Sequence, residues 1–159
     1  MNQITDILGP AGPDATSGVT KLAIMAVGGQ GGGVLTNWIT DLAQRGGYRV
    51  QATSVAGVAQ RTGATVYYVE MTPDTGRLPV FALAPSTGDV DILIAAELME
   101  AGRAMMRGFV SADRTTLIAS THRVLAIDEK MTPGDGRVDP TPVIEQAKTQ
   151  ALRAVWHDF

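Results

Sequence analysis

The chain of 159 residues contains no cysteine. Disulfides, cysteine-ligated iron–sulfur clusters and thiolate nucleophiles are therefore excluded within it. Histidine is nearly as scarce. With only His122 and His157 available, a zinc site would need carboxylates, and no HExxH-like spacing occurs. A net charge of −3, a pI near 5.3 and the lack of any Lys/Arg cluster argue against nucleic-acid binding. No apolar run approaches the roughly 18 residues of a membrane span. The N-terminus lacks the basic stretch and apolar core of a secretory signal, so a cytoplasmic protein is expected. If the chain takes part in redox chemistry, a partner chain or a bound cofactor carries the electrons.

Glycine, by contrast, is concentrated at one point. Lys21 to Val34 read KLAIMAVGGQGGGV, an apolar run ending in five glycines broken by one glutamine. Leu22 to Val27 has the length and apolarity of a buried strand. Gly28, Gly29, Gly31, Gly32 and Gly33 allow positive φ and close backbone approach. From Val34 to Ala43 apolar residues recur three and four apart, which suits a helix packed on a sheet. A strand, a glycine turn and a helix are how open α/β folds present helix N–H groups to an anion or another polar ligand.

The length fits one domain, with 45% hydrophobic and 18% charged residues as in ordinary globular proteins. Residues 1–20, rich in Gly, Pro, Ser, Thr and Asp, read as a mobile leader ahead of a domain over 21–159. Within the leader, Ile4, Ile7 and Leu8 form a short apolar patch. Tyr48–Ser54 alternates as a second strand, and Ala64–Met71 is the densest run of β-formers. Leu78–Ala82 reads as a short extended return. Asp91–Ala96 and Thr115–Ser120 are further buried strands. Glu97–Gly108 between them is a helix, and Thr141 to about Ala154 is a last helix with Pro142 in its first turn. This β-α-β alternation predicts an α/β fold of three layers around a mainly parallel sheet. Another strand or helix normally follows such a final helix, so the chain looks cut short.

The glycine turn fails two familiar phosphate templates. A dinucleotide fingerprint counted from Gly29 and Gly31 puts Val34 where the third glycine belongs. A Walker A loop would need Lys and Ser/Thr after Gly33, where Val34 and Leu35 stand. Two readings stay open: a tight turn needing glycine only for packing, or a contact for a ligand or partner. Gln30 favours the second, since a lone amide between glycines is free to hydrogen-bond outward. The segment Ser54–Gly63 (SVAGVAQRTG) leaves the carboxyl end of what reads as a parallel strand, the edge where open α/β sheets bind ligands. Arg61 in it suits phosphate, carboxylate or a partner's acidic side chain, and a surface salt bridge equally. His122 follows the Thr115–Ser120 strand onto the same edge, as a hydrogen-bonded structural residue or as a proton carrier. Glu97 and Glu100 near a helix start suit its dipole. Met99, Met105 and Met106 read as core or interface packing.

Taken in order, AVGGQGGGVLTNWI, SVAGVAQRTGATVYYVE and STHRV…EKMTPGDGR resemble the beta-subunit family of indolepyruvate ferredoxin oxidoreductases. More broadly they resemble the gamma-type domain of 2-oxoacid:ferredoxin oxidoreductases, from about Lys21 to the chain end. That resemblance implies a Rossmann-like domain working inside a hetero-oligomer. Thiamine diphosphate, magnesium and iron–sulfur clusters would sit on a catalytic alpha-type partner subunit, and ferredoxin would receive electrons through the complex. The implied reaction is oxidative decarboxylation of an arylpyruvate such as indolepyruvate, with coenzyme A as acceptor. By resemblance, Gly29, Gln30, Gly31, Gly32, Gln60, Arg61 and Thr62 face the catalytic partner or coenzyme A. The alternatives are a stand-alone nucleotide- or coenzyme A-binding module and a purely structural assembly subunit.

Overall fold

The computed structural model describes residues 18–55, 65–125 and 127–158. Six strands form one sheet: β1 (Thr20–Ala26), β2 (Tyr48–Val55), β3 (Thr65–Pro73), β4 (Ile92–Ala95), β5 (Thr116–Ser120) and β6 (Arg153–His157). Their spatial order is β2-β3-β1-β4-β5-β6. The helices described are α1 (Gly32–Arg45), α2 (Leu98–Met106), α3 (Ile127–Met131) and α4 (Thr141–Gln150). The architecture is the expected α/β sandwich of three layers.

Alternation along the strands splits the core in two. Leu22, Ile24 and Val69 face α1 and pack against Leu35 and Ile39. On the opposite face, Ala23, Met25, Leu93 and Leu117 pack against α2 and α4. Ala101 and Ala104 on α2 and Ala147 on α4 are wholly buried, so small side chains let these helices lie close. The α2–α4 contact is tight for the same reason. A Cβ at Gly102 would come within 3.2 Å of Val143.

Three of the five strand pairings are parallel, β1–β4, β4–β5 and β5–β6. β3 is antiparallel to both β1 and β2. This corrects the expectation of a parallel pairing for Tyr48–Ser54. Only the nine residues 56–64 join β2 to β3, too few for a crossover, so the two strands pair as a hairpin. β2 nevertheless points the same way as β1, and its carboxyl end lies on the same sheet edge.

Two further expectations are corrected. The last helix stops at Gln150, Ala151 turns extended, and Arg153–His157 forms β6 beside β5. Val155 and Trp156 are strand formers, and the open edge of β5 offers them a backbone ladder. Leu78–Ala82 is not a strand. Side chains hold this segment instead: Ala82 N–H donates to Glu70 Oε2 (2.7 Å), Gln51 Nε2 to the Ala82 carbonyl (2.9 Å) and Thr53 Oγ1 to that of Leu83 (2.8 Å). Helix α3 was not foreseen. The leader up to residue 17, the loop 56–64 and Phe159 lie outside the described residues.

Candidate functional site

The glycine turn leaves β1 at Val27 and enters α1 at Gly32. Each glycine meets a different demand. Gly29 (φ 92°) and Gly31 (φ 76°) have left-handed backbones, a conformation that favours glycine. Gly32 has an ordinary φ but no room: a Cβ there would lie 2.6 Å from Cε2 of Tyr67 and 2.8 Å from Cβ of Ala26. At Gly28, Gly29 and Gly31 an added Cβ would meet nothing within 4 Å. The turn is thus packed underneath at Gly32 and open above.

Gln30 closes the turn. Its backbone N–H donates to the Val27 carbonyl (3.1 Å), and its Oε1 accepts from Val27 N–H (2.8 Å). The amide oxygen is thus taken up by the turn itself, and the amide NH2 makes no hydrogen bond among the described residues. Gly31 is the N-cap of α1 and has no side chain to cap the first turn, so among the described residues no side chain caps the leading N–H groups of the helix. The Tyr67 ring lies under Gly32 and Gly33, and its hydroxyl makes no hydrogen bond among the described residues. Tyr67 was not singled out from the sequence. The signal was its place two residues into the strand that follows QRTG.

Strand register brings the other segments to this edge. Ala26 pairs with Thr65, and Val66 pairs with Val55. The Thr65 end of the 56–64 segment therefore sits one strand from the glycine turn and the Val55 end two strands away. Gln60, Arg61 and Thr62 themselves lie outside the described residues. On the other side, Ala96 N–H donates to the Met25 carbonyl (2.9 Å) and Leu98 N–H to that of His122 (2.9 Å). β1 leads into α1 on one face of the sheet and β4 into α2 on the other. The point between these neighbours is where open α/β sheets form a ligand crevice.

Glu97 and Glu100 do more than complement a helix dipole. Glu97 is the N-cap of α2, buried, accepting from Met99 N–H (3.1 Å) and Val124 N–H (3.3 Å). It stitches the start of α2 to the segment after β5. Glu100 is buried too. One of its oxygens meets Arg103 while Oε2 has no partner. Burial raises its pKa above the ordinary carboxylate value, Arg103 opposes that shift, and the neighbouring Glu97 adds to it.

His122 is exposed. Its backbone N–H bonds Ser120 Oγ (3.0 Å), while its ring has no hydrogen bond among the described residues. Arg123 links to Glu129 and to the Val138 carbonyl. This ties Glu129 and Val138 to the segment that follows β5, where Leu125, Glu129 and Gly134–Arg137 line an open cleft of about 460 Å³. Of the methionines, Met105 is buried and Met106 exposed. Among the described residues no group of His, Asp or Glu is placed to hold a metal ion.

The pyruvate ferredoxin/flavodoxin oxidoreductase family matches residues 21–155, and the chain belongs to it. Among solved structures, the chain is similar to pyruvate oxidoreductase subunit PORC from Thermotoga maritima. Identity is 19% over 84% of this chain and 68% of that one, with a TM-score of 0.46. It is also similar to 2-oxoglutarate:ferredoxin oxidoreductase from Magnetococcus marinus, determined with 2-oxoglutarate, coenzyme A and succinyl-CoA bound. There identity is 13% over 88% of this chain, with a TM-score of 0.44, and the chain spans only 19% of that protein. No curated protein matches.

Proposed function

We propose that the chain is a subunit of a thiamine diphosphate-dependent 2-oxoacid:ferredoxin oxidoreductase, acting on indolepyruvate or a related arylpyruvate. In this reading it completes the active site of a catalytic alpha-type partner in a cytoplasmic hetero-oligomer. The observation that supports it is the β1–β3 register, which pairs Thr65, two residues after the QRTG sequence, with Ala26 at the start of the glycine turn.

With no cysteine, this chain has no thiolate for a cluster, so the reading assigns clusters, thiamine diphosphate and magnesium to the partner. The chain's own contribution is backbone and positioning. The N–H groups ahead of α1, the Gln30 amide and Arg61 offer donors to an anionic acceptor such as coenzyme A. Gly29 and Gly31 leave that surface low enough for close approach, Gly32 seats the turn on Tyr67, and the reading adds Gln60 and Thr62 to the contact.

Co-purification of the native complex, followed by iron and thiamine diphosphate analysis, tests the reading. The complex should reduce a viologen dye only with a 2-oxoacid and coenzyme A, and arylpyruvates should outrun pyruvate and 2-oxoglutarate. Stoichiometric thiamine diphosphate or iron in the isolated chain overturns it. The uncapped start of α1 also favours a second reading, a stand-alone nucleotide- or coenzyme A-binding module. That reading requires a thermal shift of the isolated chain with NAD, FAD or coenzyme A.

A further inference from the structure

The start of α1 rests on two side chains of the sheet, Ala26 at the end of β1 and Tyr67 of β3. A Cβ at Gly32 would lie 2.8 Å from Cβ of the first and 2.6 Å from Cε2 of the second. The same ring continues beneath Gly33, where its Cε1 and hydroxyl oxygen come within 3.6 Å of the Cβ position. It therefore underlies the first two residues of the helix. In dinucleotide-binding folds the third glycine lets helix and strand pack directly together. Here the helix start meets an aromatic ring from the neighbouring strand, so the ring sets how its N–H groups stand above the sheet.

The other bonds described for the turn are local. Gln30 ties back to Val27 through its N–H and its amide oxygen, and Leu35 N–H bonds the Gly31 carbonyl (2.9 Å). Thr36 Oγ1 bonds the Gly32 carbonyl (2.8 Å) one helical turn away. These bonds shape the turn internally and leave its seat to Ala26 and Tyr67. Tyr67 in turn is fixed from below. It stands opposite Ile24 on β1 and Ser54 on β2, and it packs half-buried against Leu22, Ile24 and Val69. An aromatic ring is a rigid plate, and an aliphatic side chain in its place leaves part of the space unfilled.

We propose that Tyr67 is a positioning residue for the glycine turn. Its ring sets the height and tilt of the leading N–H groups of α1, and so tunes affinity for the anionic acceptor without touching it. The inference rests on the oxidoreductase-subunit reading, which supplies coenzyme A as that acceptor.

The test is steady-state dye reduction by the co-purified complex, with coenzyme A varied at saturating arylpyruvate. Tyr67→Phe keeps the ring and should leave the KM for coenzyme A within about twofold of the parent. Tyr67→Leu removes the plate and should raise that KM about fivefold or more. Its kcat, its KM for the 2-oxoacid and its partner retention should stay within about twofold. Val69→Ala is the control for stability alone. Val69 is fully buried on the same face of β3, two residues further from the turn. Its variant should lower Tm and leave the KM for coenzyme A unchanged. Tyr67→Met replaces Tyr67→Leu, with the same expectation, if the latter does not fold.

An unchanged KM in the variant without a ring overturns the inference. So does an equal rise in Val69→Ala, which marks a general effect of lost packing. An equal rise in Tyr67→Phe overturns it too, because the hydroxyl is then a ligand contact. A wild-type complex without coenzyme A-dependent turnover of any 2-oxoacid removes the functional reading. An active complex indifferent to Tyr67→Leu removes this inference alone.

Discussion

At the amino edge of the sheet, side-chain charges bind the strand starts together. Lys21 pairs with Asp89, Arg114 reaches both Asp89 (2.8 Å) and Asp91 (2.7 Å), and Asp91 also accepts the Lys21 backbone N–H (2.7 Å). At the carboxyl edge, the turn after β1 holds its shape with backbone and one amide, and no charged residue occurs between Lys21 and Asp41. The first edge locks β1, β4 and β5 in register. The second leaves N–H groups and open glycine faces unspent. In the proposed reading, stability and function are thus separated by the length of a strand, and substitutions at the two edges should fail in different ways.

The largest effect is expected at the one carboxyl-edge position that belongs to the packing. Gly32→Ala forces a methyl into Tyr67 and Ala26 and should cost about 1–3 kcal/mol in chemical denaturation. Adding Tyr67→Ala should return part of that loss, and strict additivity would break the assignment. Asp91→Ala should cost about 2 kcal/mol by orphaning the Lys21 N–H and freeing Arg114 from one partner, with Tm lower by about 6 °C. Once folded, it should retain the partner subunit normally. Loss of the partner at full stability would dissolve the contrast between edges.

Glu100 sharpens the comparison from within α2. Its folded pKa is raised, so between its unfolded value near 4.5 and the raised folded value the native chain binds more protons than the unfolded one. Stability is therefore lost as pH rises through that window. Glu100→Gln should remove this slope and raise Tm at pH 7 by a few degrees, read by thermal melts between pH 4 and 8. A slope that persists in the variant assigns the titration elsewhere. Gly29→Ala should cost about 1 kcal/mol through its left-handed backbone alone. Gly28→Ala, with open space and an ordinary φ, should stay within about 0.5 kcal/mol of the parent. A Gly28→Ala chain that melts normally but supports less coenzyme A-dependent dye reduction would separate function from fold most cleanly.

Much of this was legible in the chain itself. Apolar runs of strand length, the glycine turn and the 3.6-residue rhythm after Val34 are local properties, and they marked β1, α1, β4, α2 and β5 within a few residues. The tail was misread because Ala151–Trp156 is compatible with helix or strand until the open edge of β5 is present. The Leu78–Ala82 segment was misread for a related reason. Its partners are side chains of Glu70, Gln51 and Thr53, and no local pattern announces a tie to a carboxylate many residues away. Glu97 and Glu100 show the same limit. Their spacing suits a helix start, but only packing buried them and left one oxygen unpaired.

Residue order was enough to define the α/β class, the lack of any thiol and the place where the backbone must be glycine. Those follow from periodicity, composition and sterics, which act over a few neighbouring residues. Which glycine serves conformation and which serves packing was decided by Tyr67 and Ala26, brought beneath Gly32 by the β1–β3 register. The half-buried state of Ile94 and Ile118 was decided in the same way, because cover depends on where α1 comes to rest across the sheet. Contacts between distant segments exist only once the chain has folded, and in this protein they decide which glycine and which acid is buried.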